Sequence, residues 1–403
     1  MKKHNISISL LSIILVILIA AGCSGCDWFS PTNPNNGNLS LVWQSKLYTT
    51  GLVTGRFPNI IYENRIVITM AQIAEYETKI VGLDIETGRQ LWEWKDFFLE
   101  KEEGDFYNAI LYKNRLVFAS GGRHYCIDTE TGKTIWKNRT NNATSSVISQ
   151  LGNKYYYSAP FYDNLERTAV FAGEIETGEI YEIYRLDSGR TSKAPTPFVA
   201  PNGDICLAII QGIKAGSDWT SGIQHYAVLF NHTQNKVLYS QKIGSPDIVG
   251  ADFRAPVITK GKVYTDIGKG VVCYDAETGT TLWNKSLNGD VLFSHFIVQD
   301  DKVYFNCENG YRYALDATTG FVKWQESNTG TCSPIFMMNN VLYYIGGGDG
   351  KLYAVDADNG TVIWREDSPN DKKYGFSTVS PIGYGKRIYC CDHYYAYCFE
   401  AAK

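Results

Sequence analysis

Two adjacent cysteines, Cys390 and Cys391, are the residues whose spacing most directly suggests redox chemistry. Neighbouring thiols can close into a strained ring disulfide. Their setting, KRIYCCDHYYAY, reads as the interior of a β-strand, where successive side chains point to opposite faces. That geometry opposes a bond between them. The six histidines (His4, His124, His225, His232, His295 and His393) are scattered, and no His-x-His, HExxH or GxSxG pattern gathers a metal or a nucleophile. Asp356-Ala357-Asp358-Asn359-Gly360 resembles the start of a calcium loop but lacks the later acidic ligand. The stretch Phe97 to Asp105 (FFLEKEEGD) reads as a solvated loop. Of the ten cysteines, Cys126, Cys273 and Cys398 precede the same repeat position in different units, and Cys206, Cys307 and Cys332 sit on or beside strands. They read as small buried apolar residues. Cys23-x-x-Cys26 has no partner pair to give zinc spacing. No metal site, no cofactor and no catalytic residue is expected.

The dominant pattern is instead a phrase, DxxTGxxxW or a close relative. It places Asp84, Gly88 and Trp92; Asp128, Gly132 and Trp136; Asp275, Gly279 and Trp283; Asp316, Gly320 and Trp324; and Asp356, Gly360 and Trp364. The Asp spacings are 44 (84 to 128), 41 (275 to 316) and 40 (316 to 356), and a period near 40 marks one supersecondary unit copied many times. The gap of 147 residues between Asp128 and Asp275 holds two degenerate copies. In one, Glu174 and Gly178 keep the pattern, with Tyr181 or Ile183 near the Trp slot; in the other, Asn231 and Asn235 fill the Asp and Gly slots. An eighth copy begins at Glu400, and an orphan Trp-centred strand around Trp43 opens the series.

Such a phrase is turn chemistry. Asp accepts backbone N–H groups, Gly supplies a positive φ, and Trp offers a flat apolar body with one donor, suited to wedging between units. Short apolar runs alternate with turns at Lys260-Gly261, Gly268-Lys269-Gly270 and Thr278-Gly279, and helical periodicity is confined to the N-terminus. The 28 tyrosines suit strand surfaces. The reading is an all-β, eight-bladed β-propeller of four-stranded antiparallel blades over residues 39–403, its ring closed by the N-terminal strand. Closure of that kind hides sheet edges.

These AxDxxTGxxxW repeats resemble the pyrroloquinoline-quinone-type propeller repeat. That family includes quinoprotein dehydrogenases and cofactor-free relatives, notably the propeller lipoprotein of the outer-membrane β-barrel assembly machinery. In the dehydrogenases a ring disulfide of adjacent cysteines lies against the quinone, in a loop of an early blade. Cys390-Cys391 falls in a strand of the last blade, so that context does not match. The resemblance specifies a fold more closely than a function.

The first 22 residues read as a lipoprotein signal: a basic start (Lys2, Lys3), an apolar stretch from Ile6 to Ala21, and Ala20-Ala21-Gly22-Cys23, which resembles a lipobox with Ala20 where Leu is usual. Cys23 is the expected lipidation site, and several acyl chains on one residue give durable anchoring. Residues 23–38, rich in Pro, Asn, Gly and Ser, read as a flexible tether. Ser24 after the lipidated cysteine favours the outer membrane by resemblance to envelope sorting rules. No second apolar stretch is long enough to span a bilayer, and a net charge of −4 offers no basic field for nucleic acid.

With the phrase absorbed by structure, function is expected where the repeats are irregular: Ser158 to Arg167 and Gln211 to Gln224, with Tyr162, Asp218 and Trp219 as candidate binding residues on loops. The expected role is a non-enzymatic, membrane-tethered scaffold that binds a protein partner in the bacterial cell envelope. The alternatives are a glycan- or ligand-binding surface lipoprotein and a quinone-dependent dehydrogenase.

Overall fold

The computed structural model describes residues 40–47, 57–74, 77–99, 106–141, 147–161, 164–214, 222–247, 254–289, 291, 295–330, 332–370 and 375–402. Cys23, Tyr162, Asp218 and Trp219 lie outside them. The described strands form eight antiparallel sheets, the blades of an eight-bladed β-propeller. Blade 5 is typical: Val257–Thr259, Lys262–Asp266, Gly270–Asp275 and Thr281–Ser286 pair in chain order. Blade 8 takes three strands from the C-terminal end and its fourth, Leu41–Lys46, from the N-terminal end; Trp43 pairs with Cys398. Blade 4 departs from the four-strand expectation. Its first strand is broken into Arg190–Ser192 and Thr196–Val199, both paired with Ile205–Lys214. First strands of neighbouring blades touch one another, so they surround the axis and the fourth strands form the rim.

The repeated Asp organises the turn between the third and fourth strands. Asp84 Oδ1 accepts the Thr87 hydroxyl at 2.7 Å and the Thr87 amide at 2.9 Å, and Asp275 treats Thr278 alike. These donors hold both carboxyls below the ordinary range, the Thr87 hydroxyl first for Asp84 and the Thr278 amide first for Asp275. Glycine closes the turn in the left-handed region, as at Gly132 (φ +66).

What joins one blade to the next is the indole. In blades 1, 2, 5, 6 and 7 the fourth strand carries a β-bulge, so that the residue four after the turn glycine pairs two before the Asp. The residue left unpaired is apolar at Val42, Leu91, Ile135, Leu282 and Ile363, and Lys323 in blade 6. The bulge turns the Trp into the joint and twists the rim edge away from strand addition. Trp92 of blade 1 then lies on Gly132 of blade 2: a Cβ built there would sit 2.6 Å from its ring. Its Nε1 donates to the Thr129 carbonyl at 3.0 Å. The same arrangement joins Trp43 to Ile85, Trp136 to Ile175, Trp283 to Ala317 and Trp324 to Ala357, at 2.8–3.1 Å. Tyr239 takes the slot in blade 4, lying on Gly279 and donating its hydroxyl to Ala276 at 2.9 Å. The apolar clusters of the core lie mainly between adjacent blades, as with Trp43, Val67, Val81 and Tyr389.

Two joints differ. In blade 3 the bulge falls two residues later: Tyr181 pairs with Ala172 and Ile183 is left unpaired. Tyr181 therefore occupies the slot but bonds back to Lys154 on its own blade at 2.9 Å. At the joint of blades 7 and 8, the Trp364 Nε1 has no partner among the described residues.

Trp92 and Trp283 are equally buried, but Ala317 also accepts the Tyr264 hydroxyl at 2.9 Å. Trp283→Phe therefore leaves that carbonyl one donor, whereas Trp92→Phe removes the indole donor to the Thr129 carbonyl, on which no tyrosine hydroxyl is bonded among the described residues. Urea denaturation is expected to show Trp92→Phe as the more destabilised by about 1 kcal/mol; equal losses would contradict this account of the joint.

Candidate functional site

The described parts of the two irregular segments are strand extensions. Ser158 to Phe161 and Asn164 to Arg167 are arms of a long hairpin in blade 3, and Gln211 to Lys214 with Ile223-Gln224 are arms of another in blade 4. Pro160 and the Gly/Ser-containing residues 215–222 obscure the alternation of the flanking residues in the sequence. The strands of these hairpins run 8 and 11 residues in blade 3 and 10 and 9 in blade 4, against 5 or 6 in blades 5 to 7. Blade 1 is lengthened similarly, with 9 and 8. These hairpins extend on the face opposite the Asp turns. In blade 3 the Phe161 ring lies under two guanidinium groups, Arg167 at 4.8 Å and Arg185 at 5.3 Å. Arg185 is also held by Glu182 through Nε at 2.8 Å.

Inside the ring, the break in the first strand of blade 4 admits Lys193. Its ammonium reaches blade 5 and donates to the Asp266 carboxylate at 2.8 Å and carbonyl at 2.9 Å, with both side chains more than nine-tenths buried. Nothing local in the sequence signals a pair 73 residues apart. An ammonium engaged in this way is a cross-blade tie and not a free nucleophile. Removing one partner leaves an uncompensated charge, at a cost of about 3–5 kcal/mol. His295 lies near this pair, and its imidazole is driven down to about 3, first by burial and then by the Arg254 charge. His124, enclosed in blade 2 and 3.2 Å from the Tyr155 hydroxyl, is lowered by burial to about 3. Both rings are neutral in the folded protein.

The adjacent cysteines face opposite ways. Cys391 packs with Trp43, Val67 and Cys398 between blades 8 and 1, and Cys390 packs with Val341, Tyr343 and Tyr397 between blades 7 and 8. Both are free. Burial pushes the Cys391 thiol up to about 12 and Cys390 well above its ordinary value. They do not supply the ring-disulfide platform of a quinone site. The calcium-like loop is also engaged within the protein: Asp356 accepts the Asp358 amide at 2.9 Å, and Asp358 accepts Lys302 at 3.0 Å and Asn340 at 2.8 Å. The start of FFLEKEEGD is not solvated loop. Phe97 and Phe98 pack on an aromatic cluster, Phe97 with its centroid 4.5 Å from Trp94, because their rings cap the joint of blades 1 and 2.

The family model for outer membrane protein assembly factor BamB matches residues 32–247 and 224–403, which together span the whole propeller. The chain belongs to the BamB family. None of the curated protein sequences matches it. Among solved structures, BamB from Moraxella catarrhalis is similar with TM-score 0.59 and 12% identity, over 90% of this chain and 99% of that one. The quinohemoprotein alcohol dehydrogenase ADHIIG from Pseudomonas putida gives TM-score 0.63 and 12% identity, over 93% of this chain and 78% of that one. The computationally designed Ika8 protein gives 0.61 and 14%, over 88% and 99%. An enzyme, an assembly factor and a designed protein share the scaffold, so these likenesses carry the fold alone. BamB membership agrees with a propeller whose repeat residues are spent on joints.

Two outcomes follow from the buried groups. In the native protein at pH 8, Cys390 and Cys391 are expected to resist Ellman's reagent and to react on unfolding; rapid labelling, or a disulfide between them, would contradict the packing. Unfolded histidine titrates near 6.5, above the folded values of His124 and His295. The unfolded chain thus binds protons first, and stability is lost as pH falls from about 6.5 toward 3. Urea midpoints measured from pH 7 to 4 should show this fall, with a shallower slope in His124→Gln.

Proposed function

We propose that this chain is a non-enzymatic scaffold, lipid-anchored through Cys23 to the bacterial outer membrane, that binds a protein partner of the cell envelope. The observation that carries the reading is BamB family membership in a propeller whose repeated polar residues are consumed by its own turns and joints. Support also comes from where regularity fails. Blades 3 and 4 project long hairpins from a rigid ring, the kind of placement in which binding residues concentrate. In the sequence, Tyr162, Asp218 and Trp219 fall between the paired arms of these hairpins. Residues 23–38 serve as the tether in this reading.

Crosslinking in intact envelopes followed by affinity capture of the full-length protein should recover one defined partner, and Trp219→Ala should reduce the yield. Capture of none would count against the scaffold. Radiolabelled palmitate should enter the wild-type chain and Cys26→Ser but not Cys23→Ser; label retained in Cys23→Ser would overturn the anchor. Added pyrroloquinoline quinone and calcium should produce no dye-linked alcohol oxidation, and turnover would revive the dehydrogenase reading.

A further inference from the structure

The exposed apolar side chains are not spread evenly over the propeller. Among the described residues, the large ones open to solvent lie at the Asp-turn end of their blades, apart from Leu99 and Tyr311 at the end that bears the long hairpins. Phe321 is the most open of them, 75% exposed. It follows the turn glycine of blade 6, and its carbonyl accepts the Asp316 amide at 2.8 Å. Only backbone is needed at that position: Arg89, Lys133, Thr280 and Thr361 make the same bond in other blades. The turn itself places no demand for a phenyl ring there.

The neighbouring rim carries Leu238 on blade 4, Leu282 on blade 5 and Val322 on blade 6, each more than a third exposed. Leu238 and Leu282 are unpaired bulge residues. The bulge does not require an apolar side chain, since Lys323 fills the slot in blade 6 and pairs with Asp316 at 3.0 Å. Three adjacent blades thus present one apolar arc, and hydrocarbon left in water is unfavourable. Charges at the same end are matched from blade to blade, Lys260 with Asp301 at 2.7 Å and Lys302 with Asp358 at 3.0 Å. The chain also enters the propeller at this end: the Glu400 amide donates to the Ser40 carbonyl at 3.1 Å, and Leu41 pairs with Phe399.

We propose that the arc of blades 4 to 6 rests on the bilayer that holds the lipid anchor, with Phe321 inserted among the headgroups. The proposal rests on the anchored reading and gives it an orientation. A tether of residues 23–38 spans about 22 Å as a random coil. That is close to the height of a blade whose strands have five or six residues, about 18 Å. A lipid on Cys23 therefore holds the Asp-turn end nearer the bilayer than the opposite end. The rim of a ring is convex, which suits a broad yielding surface better than a bound peptide. An aromatic ring beside aliphatic side chains is the composition that partitions into the interface. The long hairpins then face away from the membrane, where a protein partner can reach them.

The test uses the full acylated chain in vesicles of phosphatidylethanolamine and phosphatidylglycerol, with Cys26→Ser removing the tether thiol. An environment-sensitive fluorophore is attached at Thr318→Cys, beside Phe321, and in a second preparation at Tyr311→Cys, at the opposite end. Emission from position 318 is expected to shift to the blue and to be quenched by nitroxide-bearing lipid, while the label at 311 stays aqueous. Phe321→Ser should move the docked population about tenfold toward solution, and Phe321→Trp should keep it docked. Equal quenching at both positions, an aqueous label at 318, or indifference to Phe321→Ser would overturn the lipid contact. A blue shift that needs no lipid and grows with protein concentration would assign the arc to a second copy of the chain, and would overturn it too. A chain that takes up no palmitate defeats the anchor on which the proposal rests. An acylated chain whose label stays aqueous defeats the orientation alone.

Discussion

An indole lying on a glycine, with its N–H on the next carbonyl, is the contact that makes one propeller out of eight small sheets. No blade has a face to spare. Each is only three to twelve residues per strand, and an isolated sheet of that size is marginal in water. The ring therefore depends on what passes between blades, and the Trp joint carries apolar area, shape and one hydrogen bond together. It imposes three demands at once. The turn must be left-handed so that no Cβ intervenes, the Asp must hold that turn open, and the rim strand must bulge so that the ring points inward. A change in any one displaces the other two. Blade 3 illustrates this: the Trp is lost, the bulge falls two residues later, and Tyr181 returns to its own blade.

The turns were legible because Asp, Thr, Gly and Trp lie within nine residues and each has a local physical reason. The degenerate copy at Asn231 was legible as a turn, while its aromatic was not, although counting four from Asn235 leads to Tyr239. A second repeated device went unread. Asn309 with Tyr313, and Asp349 with Tyr353, fasten the other hairpin of their blades at 2.8 and 2.6 Å, in the phrases NGYRY and DGKLY. Its spacing was in the sequence, but a polar residue four before a tyrosine is too common to stand out. The Lys193–Asp266 tie and the neutral histidines could not be read in advance, because burial across blades is set by the closed ring. The bulge rule was equally hidden: Leu91 and Ile135 look like ordinary strand residues until pairing shows them unpaired. The candidate residues Tyr162, Asp218 and Trp219 fall outside the described residues, so the paired strands that flank them in the sequence are what the structure adds.

The neighbours with the same ring divide into an assembly factor, a dehydrogenase and a designed protein. A scaffold that bonds its own repeat residues so completely leaves function to be added at its exceptions. In this chain the exceptions are the long hairpins of blades 1, 3 and 4 and the altered joints after blades 3 and 7. The opposed thiols of blade 8 belong to the joints on either side of it, and so share the structural role of Cys126 and Cys273.

Blade 8 has a further consequence, in the order of events by which the chain folds. Trp43 pairs with Cys398, so the closing sheet joins residues 355 positions apart. Contacts of such separation are slow to form, because loop closure must be met before they contribute. Blades 1 to 7 can assemble as the chain emerges, each resting on the one before, but the eighth must await the last strand. Until then the Trp43 strand has nothing to pair with and Cys390, Cys391 and Cys398 have no closed interior to shelter them. The slowest step of folding and the period of greatest exposure to oxidation and aggregation therefore coincide, at the strand that closes the ring.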